Sequence, residues 1–164
     1  MSSENVELAW RMLGANPGRP ERVPWDAERW ADASRLWDPD IEYQEDPGWP
    51  GATTVRGREA VVARFLEYAE YMGEASVEVL DVLDAGGDQV VLLTRISGEA
   101  VASGAPWEYA WAYLATIRDG RAVRVRAFLD AAAALRAAGL QPDRLDDSLR
   151  SLRTSTRPAT NPPQ

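Results

Sequence analysis

Apolar residues recur with helical spacing at the start of the chain, where Val6, Ala9, Trp10 and Leu13 fall at i, i+3, i+4 and i+7. The run Asn16-Pro17-Gly18-Arg19-Pro20 stops that helix. A second helix is expected with Trp30, Ala33 and Trp37 on one face, after which Asp38-Pro39-Asp40 turns the chain into a short strand from Ile41 to Asp46. A Gly- and Pro-rich loop, residues 47–57, then leads to a third helix with Val61, Phe65, Tyr68 and Met72 as its buried stripe. Beyond it the period changes to two. Ser76–Leu83, Gln89–Ser97, Trp107–Arg118 and Arg121–Asp130 read as strands, the last pair joined by Asp119-Gly120, a strong hairpin signal. Helices followed by successive strands imply an α+β fold with an antiparallel sheet. Ala131–Ala138 is expected to form a helical turn closed by Gly139. Residues 1–140 are therefore expected to form the domain. In the tail, 141–164, Leu145, Leu149 and Leu152 suggest one short amphipathic helix, and the Pro-containing end from Thr154 suggests disorder. Cutting after Leu140 is expected to leave the thermal midpoint nearly unchanged.

Composition narrows the chemistry. The 164 residues contain 18 basic side chains, all arginine, against 26 acidic ones, with no lysine, histidine or cysteine. A His-based nucleophile system, a Cys/His zinc site and a Schiff-base lysine cannot be built from such a chain. No cofactor or metal is expected. A net charge of −8 argues against nucleic acid, and no apolar run is long enough for a membrane span. The N-terminus lacks the pattern of a signal peptide, so a cytoplasmic protein is expected.

Three ordered stretches carry a resemblance. They are Trp37-Asp38-Pro39-Asp40-Ile41-Glu42-Tyr43, then Val55-Arg56-Gly57-Arg58-Glu59-Ala60-Val61, and finally Ile117-Arg118-Asp119-Gly120-Arg121-Ala122-Val123 with Arg126-Ala127-Phe128-Leu129-Asp130. Together they resemble SnoaL-like proteins of the nuclear transport factor 2-like superfamily. The resemblance implies a cone-shaped, curved antiparallel sheet wrapped round three N-terminal helices, enclosing a pocket, and a homodimer. It includes polyketide cyclases, ketosteroid isomerase and limonene epoxide hydrolase as well as non-catalytic domains, so the pocket must decide the function.

Matched to the epoxide hydrolase pattern, Arg95-Ile96-Ser97 keeps the arginine but has serine for the first aspartate, and Ala127 stands at the second. That mechanism is excluded. Matched to ketosteroid isomerase, the general base falls on Glu45 and the second acid on Tyr113, while the donor tyrosine of the first helix has no counterpart. Tyr43 and Glu45, two apart on a strand, point to the same side. Glu45 either faces a closed pocket as a general base, or is solvated at the loop mouth or paired with an arginine. Trp107, Tyr109, Trp111 and Tyr113 form an aromatic comb on one strand face. The comb lines a pocket for a flat apolar ligand, or else is buried in a core or a dimer interface. Trp49 lies on the loop expected to cover the pocket mouth. Arg95, on an otherwise apolar strand, needs a carboxylate or an anionic ligand group as partner. Asp130 matches a family acid and also stands where a helix N-cap belongs.

Two functions follow. One is a binding protein for a small apolar or aromatic molecule, with Tyr43, Trp49, Arg95, Ser97, Trp111 and Ala127 lining the site and no complete catalytic set. The other is a cofactor-independent acid/base enzyme (isomerase, cyclase or dehydratase) with Glu45 as base and Tyr113 as hydrogen-bond donor.

Overall fold

A computed structural model describes residues 2–145. The chain begins with α1 (Ser2–Arg11), β1 (Arg22–Pro24) and α2 (Ala27–Ala33). Asp26 caps α2, its carboxylate accepting from Arg29 N at 2.8 Å. A single 3-10 turn, Ser34–Leu36, leads into β2 (Trp37–Gln44). Then come β3 (Thr54–Arg56), α3 (Arg58–Met72), β4 (Ala75–Gly86), β5 (Gln89–Glu99), β6 (Pro106–Arg118), β7 (Arg121–Phe128) and α4 (Ala131–Ala137).

The strands form one seven-stranded sheet in the order β1-β4-β5-β6-β7-β2-β3. It is a mixed sheet and not the expected antiparallel one, because β2 runs parallel to β7, with Tyr43 opposite Val125. The β6–β7 hairpin turns at Asp119-Gly120 as expected; φ is +52° and +74° at the two residues, the positive values that a tight two-residue turn requires.

Two expectations fail around residue 37. Trp37 is not on the second helix, and Asp38-Pro39-Asp40 is not a turn; both lie within β2. The backbone at Trp37 is extended, with ψ of 145°. Pro39 favours extended geometry in the residue before it. It also sits where the β2–β7 register is interrupted, between Trp37 and Glu42, so its missing N–H breaks no regular ladder. Trp37 stays buried, and its indole donates to the Met12 carbonyl at 2.9 Å. The loop expected over residues 47–57 contains the short strand β3, and the expected strand ends at Gln44, before Asp46.

Each sheet face has its own cover. On one face Val90, Leu92, Ile96, Tyr109, Trp111, Tyr113 and Ala127 join Leu13 and residues from the first three helices, including Ala9, Trp30, Val61, Phe65, Tyr68 and Met72. The α3 stripe read from the sequence is thus the buried one. On the other face α4 supplies Ala131, Ala134 and Leu135, which cover Val91, Leu93, Ala112 and Leu114. Asp130 acts as the N-cap of α4, accepting from Ala132 N at 3.0 Å.

Leu145 belongs to this second cluster and is only 4% exposed. Leu149, Leu152 and the end of the tail lie outside the described residues. Burying a leucine contributes about 2 kcal/mol, so the expectation that cutting after Leu140 is harmless does not fit. Truncation there is expected to lower the thermal midpoint by roughly 5 °C in a calorimetric scan, whereas a cut after residue 145 spares this contact.

Candidate functional site

The inner face of the sheet converges on aromatic rings. Tyr43 from β2 meets Phe65 from α3 with ring centroids 5.0 Å apart and Tyr113 from β6 at 6.5 Å. Trp111 lies 6.4 Å from both Tyr113 and Tyr68. These are packed distances, the first two pairs edge-to-face and the other two tilted. The expected comb therefore faces inward, with Tyr109, Trp111 and Tyr113 buried and Trp107 half-buried at its end. Ala127, directly across from Tyr113 in the β6–β7 ladder, contributes a small buried side chain to the same face.

Trp49 packs onto this aromatic cluster. It projects from the loop between β2 and β3, yet is only 4% exposed, its ring 5.0 Å from Trp111, 5.8 Å from Tyr68 and 6.0 Å from Tyr109. The loop is pinned at its base. Asp46 accepts from Gly48 N at 2.7 Å and from Leu129 N at 2.9 Å, and Glu45 N donates to the Thr53 carbonyl at 3.1 Å. A turn follows, in which Ala52 N donates to the Trp49 carbonyl at 3.0 Å.

Glu45 sits beside the aromatic cluster with its side chain fully buried, paired with an arginine that sequence reasoning did not single out. Arg64 of α3 donates from Nε to Glu45 Oε2 and from Nη2 to Oε1, both at 2.9 Å, and Thr53 N donates to Oε1 at 2.9 Å. This two-pronged geometry is the strong form of an arginine–carboxylate pair. Arg64 also reaches Glu67 at 2.9 Å and lies over the Tyr68 ring at 5.3 Å. Its hydrogen bonds to Glu45 hold the guanidinium even more firmly protonated than usual. Arg64 and Glu45 are 19 residues apart in sequence. The only local signal was a charged residue directly before the buried Phe65.

Two residues expected at the site stand elsewhere. Arg95 and Ser97 alternate with Ile96 along β5 and so point to the opposite face from Tyr43, Trp111 and Tyr113. Arg95 finds its partners there, in Glu78 at 3.5 Å and Glu108 at 3.4 Å. Ser97 meets Ser76 at 3.4 Å and lines an open groove of about 1100 Å³ shared with Arg22, Trp25, Trp107 and Glu108. The structure therefore brings together Tyr43, Glu45, Trp49, Trp111, Tyr113 and Ala127, and not Arg95 or Ser97. Among the described residues no group of three or more acidic side chains is placed to hold a metal ion.

A few polar groups lie inside the aromatic cluster. Thr94 Oγ1 donates to the Trp111 carbonyl, fixing that strand position. The Trp111 indole N–H, the Tyr43 hydroxyl and the Trp30 indole N–H are buried without a hydrogen bond of good geometry. The Trp111 side chain hydrogen-bonds toward the Tyr43 hydroxyl, which favours the ionised form of that phenol. Burial pushes the Tyr43 phenol well above its ordinary pKa, and the neighbouring Tyr113 and Glu45 add to the effect. Burial raises Tyr113 and Tyr109 as well.

The sign of the consequence is fixed. The folded protein keeps phenol protons that the unfolded chain releases above the ordinary value of 10.0. Stability is therefore complete below about pH 10 and declines as pH rises beyond it. Phenolate absorbance followed with pH is expected to show Tyr43 and Tyr113 ionising only together with unfolding.

Solved structures share this architecture. A nuclear transport factor 2-like protein from Burkholderia xenovorans LB400 is 21% identical, with 84% of this chain and 98% of that one covered and a TM-score of 0.57. A protein from Jannaschia sp. CCS1 assigned as a SnoaL-like polyketide cyclase is 24% identical over 86% of this chain and 95% of that one, with a TM-score of 0.60. TerC, co-crystallized with polyporic acid, is 17% identical over 83% of this chain and 98% of that one, with a TM-score of 0.62. No curated protein matches the chain. The family described as the SnoaL-like domain matches residues 7–125. With the mixed sheet, its helical cover and the buried aromatic cluster already in place, that match shows that the chain belongs to the SnoaL-like domain family.

Proposed function

We propose that the protein binds a small, flat, apolar or aromatic molecule among the aromatic rings behind Trp49, which moves aside to admit it, and does not transform it. The observation that carries this reading is the state of Glu45. Three donors already hold its two oxygens, so the carboxylate nearest the rings is a structural anion and not a base free to take a proton from a substrate. The buried aromatic cluster offers apolar rings with a few polar groups, the surroundings such a ligand needs once the Trp49 ring moves aside. The fold neighbour TerC, co-crystallized with polyporic acid, adds support from a chain of the same architecture.

N-phenyl-1-naphthylamine, a neutral apolar dye, tests the reading. One dye per chain is expected to bind, with energy transfer from the buried tryptophans and no chemical change of the dye. Absence of binding up to the solubility limit of the dye overturns the proposal.

A second reading, cofactor-independent acid/base catalysis, has one observation in its favour. Glu45 and Tyr113 both act on the Tyr43 phenol that lies between the rings and the buried carboxylate. A base needs a lone pair facing the substrate, so this reading requires Arg64 to release Glu45 when substrate binds. Turnover of a ketone substrate that disappears in Glu45→Gln while ligand affinity is kept would establish it.

We also propose a homodimer, as the family resemblance implies. Sedimentation velocity is expected to give about twice the 18.1 kDa chain mass; a species of single-chain mass would contradict this. No described helix is long and apolar enough to cross a membrane.

A further inference from the structure

Among the described residues, α4 covers only part of the sheet face on which it lies. Along β5 the residues on that face are Val91 and Leu93, packed under α4, and then Arg95, Ser97 and Glu99. Past the helix the strands shape the open groove of about 1100 Å³, whose lining is acidic: Asp26, Glu74, Glu99 and Glu108 stand against one cation, Arg22. Glu108 shares Arg95 at 3.4 Å, and Asp26 caps α2. Glu74 and Glu99 are exposed, and among the described residues their carboxylates have no ion-pair or hydrogen-bond partner. Pro24 and Pro106 add apolar edges.

We propose that this groove is the docking site of a segment of the same chain, Leu149-Arg150-Ser151-Leu152-Arg153 together with Arg157. Charge is the first argument. From Ser148 onward the chain has three arginines and no acidic residue, the opposite balance to that of the groove. Place is the second. Leu145, the last described residue, is buried with Leu93 and Ala112 on the sheet face that the groove continues. Ser97 lies four residues beyond Leu93 on β5, about 13 Å along the strand, and Glu108 is its cross-strand neighbour. The five residues 146–150 span about 17 Å when extended, so Arg150 reaches Glu108 from the Leu145 anchor. Pattern is the third, because a repeated leucine–arginine pair suits a lining of prolines and carboxylates. Exposed ion pairs are individually weak. Tethering at Leu145 gives the segment a local concentration on the order of 1 mM, at which a weak attraction suffices. The docked segment lies on the other side of the sheet from the aromatic cluster, so the inference stands apart from the proposed binding role.

The chain has no cysteine, so Ser155→Cys provides a single attachment point for a nitroxide spin label on the full chain. At low salt the amide resonances of Ser76, Ser97, Gly98 and Glu99 are expected to lose about half of their intensity to the label, while those of α3 keep theirs. Raising the salt to about 0.5 M is expected to reduce the loss about threefold, because the attraction is between exposed charges. Two charge variants of the labelled chain are expected to reduce it equally, Glu74→Gln with Glu99→Gln on the groove side, and Arg150→Gln with Arg153→Gln and Arg157→Gln on the segment. Groove amides that keep their intensity, or that lose it to the same extent in both charge variants as in the parent, overturn the proposal. A mixture of spin-labelled chain with isotope-labelled chain lacking the nitroxide separates docking within one chain from docking between copies. Full broadening of the groove amides in that mixture would assign the groove to a second copy and overturn the assignment to the same chain.

Discussion

Replacing Arg64 with methionine is expected to destabilise the protein by on the order of 3 kcal/mol, a fall in thermal midpoint of roughly 10 °C. The Glu45 side chain is fully buried and Arg64 supplies two of its three hydrogen bonds. Removing the cation leaves a carboxylate that water cannot solvate, with only the Thr53 N–H still in place. The cost belongs to breaking the pair and not to the pair as such. A buried ion pair exchanged for apolar residues of similar size is often neutral. The double variant Glu45→Leu with Arg64→Met is therefore expected to recover most of the loss. Denaturant unfolding of the two single variants and the double closes the cycle. Additive losses would mean that the two side chains do not act on one another, and the structural role given to Glu45 would fall.

Replacing Trp49 with alanine is expected to lower stability and strengthen binding together. The ring is buried against Tyr68, Tyr109 and Trp111, and truncating a tryptophan in such a place costs about 3 kcal/mol. In the native chain a ligand competes with that same packing, so its apparent affinity is reduced by the small fraction of molecules with the loop open. The alanine variant has no ring to displace. N-phenyl-1-naphthylamine is expected to bind it at least tenfold more tightly, with a thermal midpoint roughly 10 °C lower in the absence of dye. Loss of stability with unchanged affinity would place the dye elsewhere, the open groove beside Trp107 being the alternative.

Much of the fold could be read along the chain, because its strongest signals are local. The α3 stripe, the Asp119-Gly120 turn and the β6 comb each arise from spacing within a dozen residues. Pairing across the sheet is not local. Nothing near Ile41 indicates that β2 lies parallel to β7, and the Asp38-Pro39-Asp40 segment has turn composition although it is held in a strand. Strand parity shows which residues share a face but not which face lies inside. For β5 the usual guide fails, since Val90 and Leu92 are buried under the first three helices while Val91 and Leu93 are buried under α4. With apolar residues on both sides, alternation gives no sign, and Arg95 and Ser97 were expected on the face opposite to the one they occupy.

The site shows the same division. Tyr43, Glu45, Trp49, Trp111, Tyr113 and Ala127 were placed together through the family resemblance and strand spacing. Arg64 was not, because one arginine on a helix surface looks like any other until the strand end that carries Glu45 is folded against it. Of the readings open for Glu45, that single contact selects the arginine-paired one.

The most direct measurement of the central claim is a crystal structure of the full chain grown with N-phenyl-1-naphthylamine. The dye is expected among the inner-face aromatic rings, with the Trp49 ring displaced from Trp111 and the Glu45–Arg64 pair intact. Dye in the groove beside Trp107, with Trp49 still packed on Trp111, would contradict it.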